Sequence, residues 1–246
     1  SYFILSTTSI DSVQTPYLVI RLALVGRAVF VATAKLPVFK SEASADAPWS
    51  ELFSNRRLMM GCLAIFAYVG AEVSIGSFLI SYLGTDHVLG LDAATAGRYV
   101  SFYWGGAMVG RFLGTPLLAK FRPSSVLQCF ATGTILMTLL SIFGSGSFAM
   151  WTILAVGLFN SIMFPTIFSE SINDLKRGTE KASGLLCMSI VGGAIVPLLQ
   201  GIVADRTEMR FAYFLPIVCY LYIWSFAGYV RSRTSARDEA RTVVTA

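Results

Sequence analysis

Histidine occurs once in these 246 residues and cysteine four times, and charged side chains make up only 13%. Each shortage excludes something. His87 lies in a polar loop with no second ligand nearby. Cys62, Cys129, Cys187 and Cys219 all fall in apolar stretches, without CxxC or Cys/His ligand spacing. Neither a metal centre nor a disulfide framework is expected, and the cysteines read as small core residues. No nucleophile–base pair or phosphate loop appears, so an enzyme is not expected. Soluble domains carry about 25% charged residues. A chain well below that, 55% hydrophobic and with mean hydropathy +0.67, is expected to be an all-α membrane protein. Its net charge of +5 does not imply nucleic acid, because no basic patch interleaves with aromatics.

The apolar stretches are long. Roughly 20 apolar residues cross a bilayer as a helix, and seven such spans result: 16–35, 58–82, 97–118, 126–143, 148–172, 182–203 and 211–230. Arg21 and Arg27 interrupt the first. A polar linker over 36–57, with Pro37, Pro48 and the SEASADAP run, is expected to be flexible and solvated. Pro165 and Pro197 each lack a backbone donor and are expected to kink their helices.

Lysine and arginine set the orientation. Lys35, Lys40, Arg56 and Arg57, then Lys120 and Arg122, then Lys176, Arg177 and Lys181, and finally Arg231, Arg233, Arg237 and Arg241 collect on one side. The other side holds Arg206 and Arg210. The richer side is assigned to the cytoplasm, with the C-terminus inside. An exported N-terminus with neither signal peptide nor initiator Met makes the chain read as a fragment with helices missing upstream.

A short repeat links the two halves of 58–230. Residues 104–110 are WGGAMVG and 191–197 are VGGAIVP, an offset of 87 residues. The same offset carries Gly70 onto Gly157, brings Glu72 beside Asn160 and lays 126–143 over 213–230. Three helices therefore repeat once, and an odd number makes the copies enter from opposite sides. Gly106, Gly110 and Gly114 recur on one helix face, as do Gly193, Pro197 and Gly201 on its counterpart. Such faces let backbones approach closely, as static packing or as part of a motion.

Glu72 and Asn160 sit at mid-depth in the first helix of each triplet. An acid there is expensive, so it is expected to face a cavity or partner, or to pin helices as a neutral group. As a carboxylate it accepts hydrogen bonds and as an acid it donates. Asn160 offers a donor and an acceptor together, which suits a hydroxyl-rich ligand. Tyr68 lies four residues before Glu72 on the same face. Trp104 and Phe164 belong to dense aromatic groups that could stack on the C–H face of a sugar or could be ordinary packing residues. Arg111 is expected to bind helix-end carbonyls or an acid, bracing or gating its end of the helix, or simply to snorkel. Arg98 is interfacial, and Glu170, ahead of Asp174 and Lys176, is expected to be solvated.

The stretches FAYVGAEVSIGSFLISYL, YVSFYWGGAMVGRFLG, FNSIMFPTIFS and EKASGLLCMSIVGGAIVPLLQG closely resemble the sugar transporters of the fucose:proton symporter group, in the major facilitator superfamily. That group includes glucose/galactose and N-acetylglucosamine permeases. The resemblance spans nearly all of 15–230. It implies a C-terminal six-helix bundle with a 3+3 inverted repeat, over 58–230, plus one preceding helix. Residues 1–35 would end an N-terminal half, 36–57 would be the central cytoplasmic loop, and 231–246 a cytoplasmic tail. It further implies that Glu72 and Asn160 line a central sugar cavity in a bacterial inner membrane. No cofactor is implied beyond a proton as coupling ion, with Glu72 the candidate coupling acid here and the principal coupling acids in a missing N-terminal half. Arg21, Arg27 and Glu170 fall where that group is normally apolar. A carrier of the same fold for a non-sugar solute and a non-transporting membrane module are the alternatives.

Overall fold

The structure, a computed structural model, describes residues 11–33, 47–175 and 177–245. The chain before Asp11 and most of the SEASADAP run lie outside the described residues. Two units divide at Ser44. The first contains one helix, α1 (Asp11–Thr33), whose described side chains from Tyr17 onward are exposed, Arg21 and Arg27 among them.

The second unit is all helical among its described residues. Its elements are α2 (Trp49–Ser54), α3 (Arg56–Leu83), α4 (Ala93–Lys120), α5 (Pro123–Phe143), α6 (Gly146–Asn160), α7 (Met163–Ile172), α8 (Thr179–Met188), α9 (Gly192–Arg206), α10 (Met209–Ala212) and α11 (Phe214–Thr245). A 3-10 turn, Ser189–Val191, joins α8 to α9. Among the described residues five helices or continuous pairs are long and apolar enough to cross a membrane: α3, α5, α6–α7, α8–α9 and α10–α11. Helices α1 and α4 are 23 and 28 residues long but fall outside that set, α4 because glycines and arginines dilute its apolar residues.

Several boundaries differ from the hydropathy reading, each for a local reason. Helix α4 begins at Ala93 because Asp92 Oδ1 accepts from the Ala94 and Thr95 amides, both at 3.0 Å. The hydrogen bonds from the Thr95 side chain and backbone hold the exposed Asp92 carboxyl below its usual range. The linker is not solvated throughout. Residues Trp49–Ser54 form α2 with Leu52 buried, and Asn55 caps α3 by accepting from the Leu58 amide at 3.1 Å. The basic tail continues α11 as helix to Thr245. The cysteines are free; Cys62 and Cys219 are half-buried against the core as expected, but Cys129 and Cys187 are exposed.

Helix α3 is the spine of the bundle, packing against α4, α7, α9 and α11, while α6 packs against α4 and α5. The 87-residue repeat appears here as exchanged partners. The first helix of each triplet lies against the second and third helices of the other: α3 against α9 and α11, α6 against α4 and α5. The third helices, α5 and α11, meet each other. Backbones touch at both first–second crossings. A Cβ on Gly157 would run into the Tyr103 carbonyl, and one on Gly192 into the Phe66 carbonyl. Gly106, Gly110 and Gly114 all face α6, α7 or the turn between them, and Gly193 faces Val69 and Val73 of α3. The small-residue faces are packing surfaces in this structure.

Gly157→Ala and Gly192→Ala each force a methyl against backbone, so each should destabilise the bundle by about 1–3 kcal/mol. Gly105→Ala meets nothing within 4 Å and should be neutral or stabilising by up to about 1 kcal/mol. Thermal unfolding in detergent, compared across the three variants, checks both directions.

Candidate functional site

The polar residues at mid-depth meet where α3, α4 and α6 converge. Tyr68 and Glu72 are one helical turn apart on α3, and the Tyr68 hydroxyl donates to Glu72 Oε1 at 2.8 Å. The same hydroxyl lies 2.9 Å from the Asn160 carbonyl oxygen. One proton cannot serve both acceptors fully, so Tyr68 is shared between an acid on one triplet and a carbonyl on the other. Asn160 Nδ2 donates to the Tyr103 hydroxyl at 3.0 Å, and that hydroxyl reaches the Glu72 carbonyl oxygen at 3.3 Å. The circuit closes on itself across three helices.

Sequence reasoning placed Glu72, Tyr68 and Asn160 in the site, and the structure brings all three together. It also corrects one role. Asn160 was expected to offer its amide to a ligand, yet it is 0% exposed. In this structure it holds Tyr103 and reaches no open surface. Its Oδ1 and the hydroxyl of Tyr220 on α11 are enclosed with no protein hydrogen-bond partner among the described residues. Glu72 remains half-buried, the one member of the circuit that keeps partial exposure. Tyr103 and Tyr220 were missed as site residues. Each comes from a helix far along the chain, and without the helix register no signal separates them from their aromatic neighbours.

Trp104 and Phe164 flank the circuit. Phe164 packs beside Tyr68 with ring centroids 6.3 Å apart, and Trp104 meets Tyr103 edge-on at 5.2 Å while leaving 49% of its surface exposed. Arg111 is exposed rather than buried, but it does bind a helix-end carbonyl: its Nε donates to the Ser161 oxygen at 3.2 Å. Pro165 explains why that oxygen is available. Four residues beyond Ser161, it has no N–H to give, and α6 ends at Asn160. The kink thus sits at Ser161–Ile162. Pro197 behaves differently, because α9 runs through it unbroken and the departure from α geometry comes upstream, at Ser189–Val191. Gly110 lets α4 approach the first break, since a Cβ there would meet the Leu158 carbonyl and the Ser161 side chain.

Two apolar cavities lie away from this circuit. One of about 460 Å³ between α4 and α6 is lined by Phe102, Gly106, Trp151 and Leu158, and another of about 350 Å³ between α3 and α8 by Met59, Cys62 and Phe66. Neither includes Glu72 or Asn160. Among the described residues, no cluster of His, Cys, Asp and Glu is placed to hold a metal ion.

Glu170 is the second correction. It is buried, not solvated, at 8% exposure. Arg57, at the start of α3, pairs with its carboxylate and with that of Asp174. Both arginine and acid are enclosed, so the pair clamps the ends of α3 and α7. A more exposed pair lies nearby, Arg177 to Glu51 at 2.6 Å, and its partner keeps the Arg177 guanidinium above its usual range.

No family model matches the chain. A glucose/galactose transporter of Brucella abortus is 42% identical over 226 residues, which cover 91% of this chain and 55% of that protein. The L-fucose-proton symporter of Escherichia coli is 33% identical over 232 residues, covering 91% and 52%. The chain spans about half the length of the curated relatives it matches. A crystal structure of the major facilitator superfamily transporter FucP in the outward conformation superposes with TM-score 0.80 at 30% identity, covering 94% of this chain and 60% of that one.

Removing Arg57 leaves the buried Glu170 carboxylate without its partner, so Arg57→Ala should cost about 3–5 kcal/mol of stability. Glu51→Ala breaks only an exposed pair and should cost under about 1 kcal/mol. Replacing Arg57 and Glu170 together by Met and Leu should recover most of the loss, as read by unfolding midpoints in detergent.

Proposed function

From the premise that this chain is a homologue of the fucose:proton symporter group and has a major facilitator fold, we propose that it forms the C-terminal six-helix part of a sugar:proton symporter. The carrier would work by alternating access in a bacterial inner membrane, with the basic ends of the helices in the cytoplasm. The supporting observation is the half-buried Glu72 carboxylate, held by Tyr68 at 2.8 Å, with the exposed Trp104 ring against Gly76 one turn further along α3. A sugar offers hydroxyls and an apolar C–H face. An acid that can accept or donate, with an indole one turn away, complements both.

In this reading Glu72 meets the sugar and Tyr68 orients it. Asn160 acts one step back, fixing Tyr103 and, through its carbonyl, Tyr68. Phe164 packs behind Tyr68. Arg111 secures the broken end of α6. The proton would enter through groups outside this chain or through Glu72 itself, whose carboxyl can exist in either state. The partners proposed are a hexose or amino sugar, the lipid bilayer and the remaining half of the carrier.

The test is uptake of labelled hexoses by proteoliposomes of the whole protein under an imposed pH gradient. Glu72→Gln should lower uptake at least about tenfold, the loss of one charge-assisted hydrogen bond at about 1.5–3 kcal/mol. Asn160→Ala should raise KM more than it lowers the folded yield. Unaltered uptake and sugar affinity in Glu72→Gln at every pH would remove the acid from the mechanism.

A further inference from the structure

Two surfaces set the position of the Trp104 indole. On one side it meets the Tyr103 ring edge-on at 5.2 Å. Tyr103 is fully buried, and its hydroxyl is held by Asn160 and by the Glu72 carbonyl oxygen, so this neighbour does not yield. On the other side is α3, at Gly76. A Cβ there would lie 3.2 Å from Trp104 Cζ2, tighter than ordinary contact, and 3.7 Å from Tyr103 Cε1. The indole rests against the helix where any other residue would hold it off. About half of its surface stays open.

Gly76 differs from the glycines of the scaffold. Those at the two backbone crossings come in pairs under the offset of 87 residues, Gly157 with Gly70 and Gly192 with Gly105. Gly76 falls on Met163, and Trp104 on Val191. Glu72 falls on Phe159. The glycine, the indole and the acid thus occur together in one triplet and are all replaced in the other. The contacts differ as well. A Cβ on Gly157 or Gly192 runs into backbone, whereas the three atoms nearest a Cβ on Gly76 all belong to the Trp104 and Tyr103 side chains. A glycine that served helix packing alone would not need to track the acid.

One turn of α3, about 6 Å along the axis, separates Glu72 from Gly76. Both are half-buried and Ser77 beside them is exposed, so this strip of the helix is open. The acid and the indole are therefore held one turn apart along an open strip. That spacing suits a single sugar ring, with a hydroxyl to the carboxylate and a C–H face to the indole. Groups that bind in concert must be held to within about 0.5 Å.

On the sugar reading of this site, we infer that Gly76 is a positioning residue. By lacking a side chain it seats Trp104 against α3 and fixes the distance between indole and acid. The test is equilibrium binding of labelled D-glucose, D-galactose and L-fucose to the whole protein in detergent, arranged as a double-mutant cycle. Gly76→Ala should weaken binding by about fivefold or more. Its unfolding midpoint should hold or rise, because alanine favours the helix and the half-exposed indole can give way. Trp104→Phe removes the ring that touches the glycine, so adding Gly76→Ala to it should weaken binding by less than about twofold further. Gly105→Ala, which follows the tryptophan but meets nothing within 4 Å, should bind as the natural sequence does. If Gly76→Ala binds as tightly as the natural sequence, or costs the same with and without the indole, the positioning role is overturned and the sugar reading stands. A lowered unfolding midpoint in both backgrounds makes Gly76 a packing residue and also overturns the role. If none of the three sugars binds the natural sequence, the sugar reading falls and takes this role with it.

Discussion

A carboxylate and a carboxamide at mid-depth in an apolar bundle must find their hydrogen bonds inside the protein, because hydrocarbon supplies none. The four residues Tyr68, Glu72, Tyr103 and Asn160 meet that demand reciprocally. Each bond crosses between helices or follows one turn of α3, so the circuit fixes the relative height of α3, α4 and α6. Without it, Glu72 would face either an unpaired burial or a rotation towards lipid. With it, the acid is oriented by Tyr68 and still half open. Positioning and availability are usually in tension in a membrane interior, and here they fall on different members of one network.

The same three helices could not come close enough for these bonds with ordinary side chains between them. Gly157 lies against the Tyr103 carbonyl, which places the Tyr103 hydroxyl within reach of Asn160 only a few residues away on α6. Gly192 against the Phe66 carbonyl makes the corresponding crossing on the other triplet. The correspondence holds for helix pairs and not for atoms. Among the described residues the α3–α9 crossing carries no equivalent polar circuit. A repeat of this kind conserves the scaffold while letting one crossing become polar, and sites near the midplane between repeated units are the common result.

Much of this was visible in the order of residues. Helix positions, the glycine faces, the offset of 87 residues and the Tyr68–Glu72 turn are all local or periodic signals. What escaped depends on partners far apart in the chain. Glu170 looks solvated beside Asp174 because the arginine that buries it, Arg57, is 113 residues away. Asn160 looks available because the tyrosines that enclose it come from α4 and α11. One omission did leave a trace: Trp49, Leu52 and Phe53 have the spacing of a short amphipathic helix within an otherwise polar linker, and α2 forms there. The cysteines misled in the opposite sense. In a bilayer, an apolar neighbourhood does not mean an interior position, and Cys129 and Cys187 are on the outside.

The break between α6 and α7 joins these themes. Pro165 denies the Ser161 carbonyl its helical donor, and an unmet carbonyl at this depth must be satisfied by another element. Arg111 supplies that donor from α4, and Gly110 beside it lets α4 approach the break. One residue earlier, the Asn160 carbonyl takes the Tyr68 hydroxyl from α3. The interrupted helix is therefore held on two sides, by Tyr68 of α3 and by Arg111 of α4. A shift of α6 relative to α7 would change both bonds together, loosening Tyr68 from Asn160 and Arg111 from Ser161. Since Tyr68 divides its proton between Asn160 and Glu72, weakening one bond strengthens the other. The break in the helix and the acid are thus linked through a single hydroxyl, with no need for a longer chain of side chains between them.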